Sequence, residues 1–210
     1  QFVEWTPETR IIVCKNPNYY GLVPSIETIL FKPIKDDNTR AIELEKGTID
    51  VTGMPVNKID RYLSDKRFNS QEVVALNIRY IGFNTQKPPF DNVKIRQAVN
   101  YAINRESIVK DLLKGHAVVA NGPVPSILPD ANPNLPKYEY NPNKAKQLLK
   151  EAKYDSSKPI SFWSYNDEVM TPVVQAIKYQ VDQVGFKVNI QEWDRTTYWN
   201  KVDEFIPVSG

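Results

Sequence analysis

The spacing of hydrophobic residues changes in the middle of residues 79–113. Tyr80–Phe83 form a short apolar run bounded by turn residues, which predicts a strand. Between residues 93 and 103 the apolar positions recur every three or four residues, which predicts an amphipathic helix. Asp91 or Asn92 can provide the side-chain oxygen that caps the free backbone N–H groups at the start of this helix. The chain is therefore predicted to pass from a strand through a turn into a helix.

After this helix the sequence predicts a short helical segment, a proline-rich irregular segment and another helix. Residues 108–113 form a second short amphipathic segment, and Gly115 marks its end. Residues 116–140 lack periodicity and contain five prolines, so neither a helix nor a central strand is expected there. Asn141 and Pro142 begin the next helix, because an Asn cap followed by Pro at the first helical position is a typical start.

The last fifty residues predict a crossover between two parallel strands. A strand at 159–164 is followed by a helix whose apolar positions span 173–184, and Gly185 ends that helix. A second strand at 186–190 precedes a last helix that begins near Thr196. A strand, a helix and a second strand in this order are typical of a crossover unit with parallel strands.

The first part of the chain also alternates strands with short helices. The predicted elements are strands at 10–15 and 26–34, a helix from the Asp36–Asn38 caps to Gly47, a strand at 49–52, a helix around 59–63 and a strand at 71–76. This alternation over the whole chain predicts the α/β fold class.

Composition and charge restrict the class of protein. The 210 residues are 41% hydrophobic and 25% charged, and the net charge is +2, which is ordinary for one large or two small globular domains. No basic run suggests a nucleic-acid partner, and no apolar run approaches the roughly 18 residues of a membrane span. The chain begins at Gln1 with neither an initiator Met nor a signal segment, so a processed or trimmed chain is expected.

Residues that could support catalysis or bind a metal are few. His116 is the only histidine, and no nucleophile elbow, dinucleotide-binding or phosphate-binding motif occurs. Cys14 lies in an apolar run and is interpreted as a buried, unreactive thiol. We therefore expect no catalytic residue, no metal site and no cofactor. Carboxylate pairs such as Asp167-Glu168 are interpreted as helix caps, although a hydrolase using such a pair and a scaffold protein both stay alternatives.

Four segments resemble the bacterial extracellular solute-binding proteins of family 5. Phe83–Glu106, which contains F-N-T-x-x-x-P-F-D-N-V-K-I-R-Q-A-V-N-Y-A-I-N-R-E, resembles the signature segment of that family. Asn16–Gly21 resembles its N-P-x-[YF]-[WY]-G turn and Glu45–Asp50 its G-E-I-D segment. Tyr140–Ala152 resembles its Y-[DN]-P-x-K-A-K-x-L-L-x-E-A helix, and the four segments follow the order of the family.

The resemblance implies a type II periplasmic-binding-protein-like α/β fold, in which two lobes close on a ligand. Residues 1–75 would form the C-terminal portion of the first lobe up to the hinge. Residues 76–210 would form the second ligand-binding lobe, truncated at its C-terminal end. A whole member of the family would carry further chain before Gln1 and after Gly210.

The function that the resemblance implies is solute capture for an ABC importer. The resemblance favours a peptide as the solute. A nickel chelate, haem or another small solute is the alternative within the family. The other partners would be the transmembrane subunits of the ABC permease, with no nucleic acid. The protein would be periplasmic, or extracellular with a lipid anchor in a bacterium with a single membrane, and it would not be an enzyme.

Four residues are predicted to contact the ligand. Asn84 ends the predicted signature strand, and Trp163, Tyr165 and Asn166 end the neighbouring strand. Because ligands bind beside the carboxyl ends of strands in open α/β sheets, these side chains are expected to face the cleft between the lobes. Turn formation by the two Asn residues and core packing by the two aromatic residues would explain the same positions without a ligand.

Two charged ligand anchors that the resemblance implies have no match in this chain. An Asp that pairs with the amino group of a peptide would lie in a W-x-x-D type segment beyond the helix at Thr196. An Arg that holds a dipeptide carboxylate would lie in the loop after the strand at 161–164. That loop reads Tyr165–Met170 and contains no Arg. A longer peptide or a different solute is therefore easier to accommodate than a dipeptide.

Overall fold

A computed structural model describes residues 1–205 and divides the chain into two compact units. The first unit is Gln1–Pro55 and the second begins at Val56. The lobe boundary expected near residue 75 stays a prediction.

The first unit contains a three-stranded antiparallel sheet and one helix. Strands β1 (Phe2–Thr6), β2 (Arg10–Cys14) and β3 (Thr28–Phe31) pair in the order β1-β2-β3, and helix α1 spans Asp37–Glu45. Asp36 caps α1, since its Oδ1 accepts a hydrogen bond of 2.7 Å from the N–H of Thr39. Gly47 follows α1 with φ +70°, as the glycine stop predicts. Cys14 is half-buried rather than buried.

The second unit contains most of the helices and a parallel pair of strands. Its elements are α2 (Ile59–Ser64), α3 (Val93–Ala102), α4 (Arg105–Ser107, continued as a π turn over Ile108–Leu112), α5 (Pro142–Glu151), β4 (Ile160–Tyr165), α6 (Met170–Asp182), β5 (Val188–Trp193) and α7 (Arg195–Phe205). The predicted helices of this unit are all present, and residues 116–140 contain no helix or strand, as the prolines predict.

The core of the second unit lies where α3 packs on α5. Ala98 and Ala102 of α3 and Ala145 of α5 are completely buried. Small side chains at these positions allow the two helices to approach closely, while larger residues such as Leu149 and Val181 fill the surrounding space. The apolar positions read from the sequence at helical spacing in α3 and α5 therefore form this core, except Val93, which is 51% exposed at the start of α3.

Strands β4 and β5 are parallel, as predicted, and α6 connects them. The register pairs Ile160 with Val188 at one end and Tyr165 with Trp193 at the other. The crossover places the carboxyl ends of both strands side by side. Tyr165 and Trp193 therefore mark one edge of this two-stranded sheet.

Three predicted strands are wrong. Residues 49–52, 71–76 and 80–83 contain no strand in the structure. A strand is stabilised by hydrogen bonds to a neighbour, and these segments form no ladder with any part of residues 1–205. Their apolar and β-branched composition raised the expectation, but composition alone does not provide a partner.

Removal of the α5 cap should destabilise the protein measurably. Asn141 Oδ1 accepts a hydrogen bond of 2.9 Å from the N–H of Lys144, and Pro142 occupies the first turn. We expect Asn141→Ala to lower the free energy of unfolding by about 1 kcal/mol in urea denaturation. Asn143→Ala, an exposed position in the same turn, is the control and should change it by less than about 0.5 kcal/mol. Equal stability of the two variants would contradict the capping role.

Candidate functional site

Aromatic and cationic side chains surround the carboxyl ends of β4 and β5. Tyr165 is the last residue of β4 and Trp193 the last residue of β5, and the two are partners in the register. Helix α7 begins at Arg195, immediately beyond β5. In open α/β sheets, ligands bind beside this end of the strands. The carboxyl ends of β4 and β5, marked by Tyr165 and Trp193, are therefore the candidate site.

Tyr165 lies at the centre of these aromatic and cationic side chains. It is only 7% exposed, although it stands at the end of a strand. Its hydroxyl accepts a hydrogen bond from the Arg79 guanidinium, whose Cζ lies 5.8 Å from the ring centroid. The Cζ of Arg195 lies 4.9 Å from the same centroid. Two cations from distant parts of the chain therefore contact one aromatic ring, an arrangement that the ring quadrupole favours.

Further aromatic rings contact one another around Tyr165. Tyr198 meets Tyr165 edge to face at a centroid distance of 5.4 Å, and Trp199 meets Tyr198 in the same way at 5.2 Å. Trp163 meets Trp193 edge to face at 5.3 Å. We call Arg79, Trp163, Tyr165, Trp193, Arg195 and Tyr198 the strand-end cluster. Edge-to-face rings hold one another in fixed orientations, so the cluster presents a shaped surface.

Burial and neighbouring tyrosines affect the ionisation of Tyr198. Partial burial is the main cause that raises the pKa of Tyr198, and the nearby Tyr80 and Tyr165 raise it further. The Tyr198 hydroxyl therefore stays neutral over the physiological range, and it can both donate and accept a hydrogen bond.

The structure brings three of the four predicted ligand contacts together. Trp163 is half-buried and Tyr165 buried, while Asn166 is exposed. The N–H of Asn166 donates to the carbonyl oxygen of Trp193 at 2.8 Å, which ties the end of β4 to the end of β5. Their contact with a ligand stays a prediction.

Asn84 lies in a turn of its own. Its Oδ1 accepts a hydrogen bond of 3.0 Å from the N–H of Gln86, which is the turn geometry that Asn side chains favour. Over residues 1–205, Asn84 forms no hydrogen bond or ring contact with the strand-end cluster. Its role as a ligand contact stays a prediction.

The sequence interpretation missed both arginines of the strand-end cluster. Arg195 lies two residues beyond β5, so the rule that placed Trp163 and Tyr165 at a strand end could have found it as well. Arg79 lies in an irregular segment 86 residues before Tyr165. No local pattern indicates that contact, because it depends on how the chain returns to the sheet.

Two carboxylates at this edge, those of Asp167 and Asp194, accept hydrogen bonds at the starts of α6 and α7. Asp167 Oδ1 accepts hydrogen bonds from the N–H groups of Val169 and Met170. The side chain and backbone of Thr197 donate to the Asp194 carboxylate, which lowers the pKa of Asp194. Within residues 1–205, no cluster of three His, Cys, Asp or Glu side chains could hold a metal ion. Over the same residues, no helix combines the length and the apolar character that crossing a membrane requires.

Comparison with known sequences gives a consistent match. Residues 1–206 match the description "Bacterial extracellular solute-binding proteins, family 5 Middle". The glutathione-binding protein GsiB of Pectobacterium atrosepticum is 34% identical over 92% of this chain, and the dipeptide-binding protein of Escherichia coli is also 34% identical over 92% of it. The heme-binding protein A of Haemophilus influenzae is 34% identical over 83%. The chain spans 38%, 38% and 31% of these relatives, respectively.

Solved structures share the fold. The periplasmic binding protein DppA of Helicobacter pylori, in complex with the peptide STSA, superposes with a TM-score of 0.82 at 28% identity, over 94% of this chain and 39% of that one. NikZ of Campylobacter jejuni, in complex with Ni(L-His), superposes with a TM-score of 0.84 at 25% identity, over 94% of this chain and 42% of that one. The predicted periplasmic-binding-protein-like α/β fold is confirmed.

Proposed function

The chain belongs to the family 5 bacterial extracellular solute-binding proteins, and we propose that the protein carrying it captures peptides for an ABC importer. The strand-end cluster is the observation that carries this proposal. It combines an aromatic wall with polar groups at the sheet edge where ligands bind in open α/β folds. Similarity to proteins named for glutathione and for dipeptides, and to a structure that holds the peptide STSA, supports a peptide as the solute.

The strand-end cluster suits the recognition of a peptide chain. Aromatic rings such as Trp163 and Tyr198 can line pockets for side chains, while Asn166 and the free edges of the strands can meet backbone groups. Binding would proceed by closure of two lobes around the ligand, with residues up to about 75 in the first lobe and later residues in the second. Neither a cofactor nor a catalytic step is needed, so the proposed protein is not an enzyme.

The proposed cellular context follows from the family. Its members are extracellular solute-binding proteins, and DppA is described as a periplasmic one. We place this protein in the periplasm, or on the outer face of a single membrane with a lipid anchor. Its proposed partners are the transmembrane subunits of the permease, and its own contact with the membrane would be through them or through an anchor.

A metal chelate or haem is the second candidate solute. Similarity to a structure that holds Ni(L-His) and to a heme-binding protein favours this candidate. The aromatic wall of the strand-end cluster could pack against a planar or compact chelate, and the chelate would bring its own metal donors.

Native mass spectrometry on the natural protein purified from its host tests the proposal. A series of additional masses that sequence as peptides after release would support peptide capture. A single additional mass with a metal isotope pattern or a haem absorbance would move the function to the second candidate. A protein without any bound solute that forms a stable complex with another protein would overturn both candidates and favour a scaffold.

A further inference from the structure

Residues 56–75, which we call the α2 segment, pack on themselves. Tyr62 of α2 is only 3% exposed, and its ring lies against that of Phe68 at a centroid distance of 5.1 Å. The Ser70 hydroxyl donates a hydrogen bond of 2.9 Å to the carbonyl oxygen of Tyr62, which ties the residues after α2 back to the helix. Within residues 1–205, α2 lies against no helix or strand other than the short turn Val56–Lys58 that precedes it. The position of the α2 segment on the second unit therefore depends on contacts of individual side chains.

His116 provides two of these contacts. Its Nδ1 lies 2.8 Å from a Glu72 carboxylate oxygen, and its Nε2 lies 3.0 Å from an Asp60 carboxylate oxygen. The His116 side chain is 9% exposed, while those of Asp60 and Glu72 are 73% and 47% exposed. The backbone N–H of His116 donates to the carbonyl oxygen of Leu113 at 2.8 Å, which holds the ring on the turn after α4. One imidazole therefore joins two points of the α2 segment to a later part of the chain.

This link requires a proton on each ring nitrogen. Carboxylates only accept hydrogen bonds, so a neutral imidazole, which carries one N–H, can satisfy only one of the two. The hydrogen bond to Glu72 is the main cause that raises the pKa of His116, partial burial lowers it, and the hydrogen bond to Asp60 raises it further. The protonated ring is therefore the form that the two carboxylates stabilise.

The charge of the ring decides whether the link is complete. Among residues 1–205, Glu72 and Asp60 are the charged groups that contact the His116 ring. The other charged side chains on α2 and on the turn before the ring are Arg61, Lys110, Asp111 and Lys114. Histidine is the side chain that ordinarily changes its charge between about pH 5 and pH 8. A change of pH in this range therefore acts on the link through His116.

The link crosses the proposed boundary between the lobes. Asp60 and Glu72 come before the boundary proposed near residue 75, and His116 comes after it. Closure of the lobes around a solute would bring the ring between its two carboxylates, and opening would return all three groups to water. Residues 76–78 connect the α2 segment to Arg79, whose guanidinium reaches Tyr165 in the strand-end cluster. A short stretch of chain therefore joins the link to the candidate site.

We propose that protonated His116 links the two proposed lobes through Asp60 and Glu72, so that solute capture is stronger when the ring carries its proton. The proposal rests on the proposed function and adds regulation by pH to it. In the open protein the ring would face water and have a pKa of about 6.5, and in the closed protein that pKa is higher. The link is then complete below about pH 6.5 and is lost as the pH rises through the higher value, and the affinity for the solute follows the same course.

Calorimetric titration of the natural protein with tri-alanine, at about pH 6 and at about pH 9, tests the link. At the lower pH we expect the wild-type protein to bind tri-alanine about threefold more tightly than His116→Gln, because Gln offers no charge to the partly exposed carboxylates. At the higher pH the two proteins should bind it equally, since the wild-type ring is then neutral as well. The amino group of tri-alanine also titrates in this range, but it affects both proteins alike.

Two further variants separate the link from a general effect of charge. Glu72→Gln should reduce the advantage of the wild-type protein at the lower pH, because it removes the stronger partner of the ring. Asp130→Asn removes an exposed carboxylate from the irregular segment that follows His116, and it should behave as the wild-type protein at both pH values. Equal affinity of the wild-type protein and His116→Gln at the lower pH, or an advantage that persists undiminished at the higher pH, would overturn the link and leave peptide capture intact.

Small-angle X-ray scattering decides the inference if the wild-type protein does not bind tri-alanine, a result that counts against peptide capture. The link would hold the lobes together whatever the solute is. At the lower pH the wild-type protein should therefore have a smaller radius of gyration than His116→Gln, and at the higher pH the two radii should agree. Equal radii at the lower pH would overturn the link between lobes, even if the stability of the protein depends on the charge of His116.

Discussion

Phe186→Ala should lower the free energy of unfolding by about 3–5 kcal/mol. Phe186 is 5% exposed and lies between the end of α6 and the start of β5. Its ring packs against Tyr154 at a centroid distance of 5.1 Å and belongs to the same core as Leu149 and Val181. Removal of the ring would leave a cavity at the point where α5, α6 and β5 meet, and close-packed neighbours refill such a cavity only in part.

Urea denaturation measures this change, and Tyr179→Ala provides a matched control. Tyr179 is an aromatic residue on α6, but it is 67% exposed. Its replacement should change the free energy of unfolding by less than about 0.5 kcal/mol. If Phe186→Ala cost no more than Tyr179→Ala, the core would not depend on the packing of Phe186 that the structure describes.

The helices could be predicted because their signals are local. Asn92 and Asn141 cap α3 and α5 through hydrogen bonds to residues two and three positions further on. Gly115 and Gly185 adopt positive φ beyond the helical segments that they end. In each case the cap, the apolar spacing and the stop lie within one short window of sequence. The physical interactions that form the helix are therefore visible in the sequence itself.

Strand prediction failed where pairing was needed. Residues 80–83 are as apolar as β4, yet only β4 finds a parallel neighbour in the second unit. The crossover through α6 could be recognised because both strands and the helix follow one another along the chain. The residues of a segment do not show whether a pairing partner exists elsewhere in the chain. The apolar pattern alone therefore predicted strands that the structure does not contain.

The candidate site was predicted in part for the same reason. Trp163, Tyr165 and Asn166 followed from their place at the end of a predicted strand, and the structure groups them with Trp193. The contact between Arg79 and Tyr165 joins residues 86 positions apart and could not be read from spacing. The loop Tyr165–Met170 contains no Arg, but the fold brings guanidinium groups to the same sheet edge from two other segments. Charge at the site thus depends on tertiary structure more than on the local motif.

His116 should make the stability of the protein depend on pH near neutrality. Its Nδ1 lies 2.8 Å from a Glu72 carboxylate oxygen and its Nε2 lies 3.0 Å from an Asp60 carboxylate oxygen, while the side chain is 9% exposed. Carboxylates only accept hydrogen bonds, so both ring nitrogens must carry a proton to satisfy both contacts. The protonated ring therefore links α2, the segment around Glu72 and the turn after α4.

The two carboxylates raise the pKa of His116 above its usual value. The hydrogen bond to Glu72 is the largest cause, partial burial opposes it, and the hydrogen bond to Asp60 adds to it. A group whose pKa is higher in the folded state stabilises the protein fully below its unfolded pKa of about 6.5. That stabilisation is lost as the pH rises through the folded pKa. The free energy of unfolding should therefore decrease between about pH 6 and the raised pKa of His116.

Urea denaturation at a series of pH values, repeated on His116→Gln, isolates this contribution. His116 is the only histidine, so the variant should lose most of the pH dependence between about pH 6 and pH 8. NMR titration of the His116 ring provides a second measurement: Glu72→Gln should lower its pKa more than Asp60→Asn, in the order of their effects on the ring. A ring pKa at or below about 6.5 in the wild-type protein, or an unchanged pH dependence in His116→Gln, would show that the two carboxylates do not hold a protonated ring.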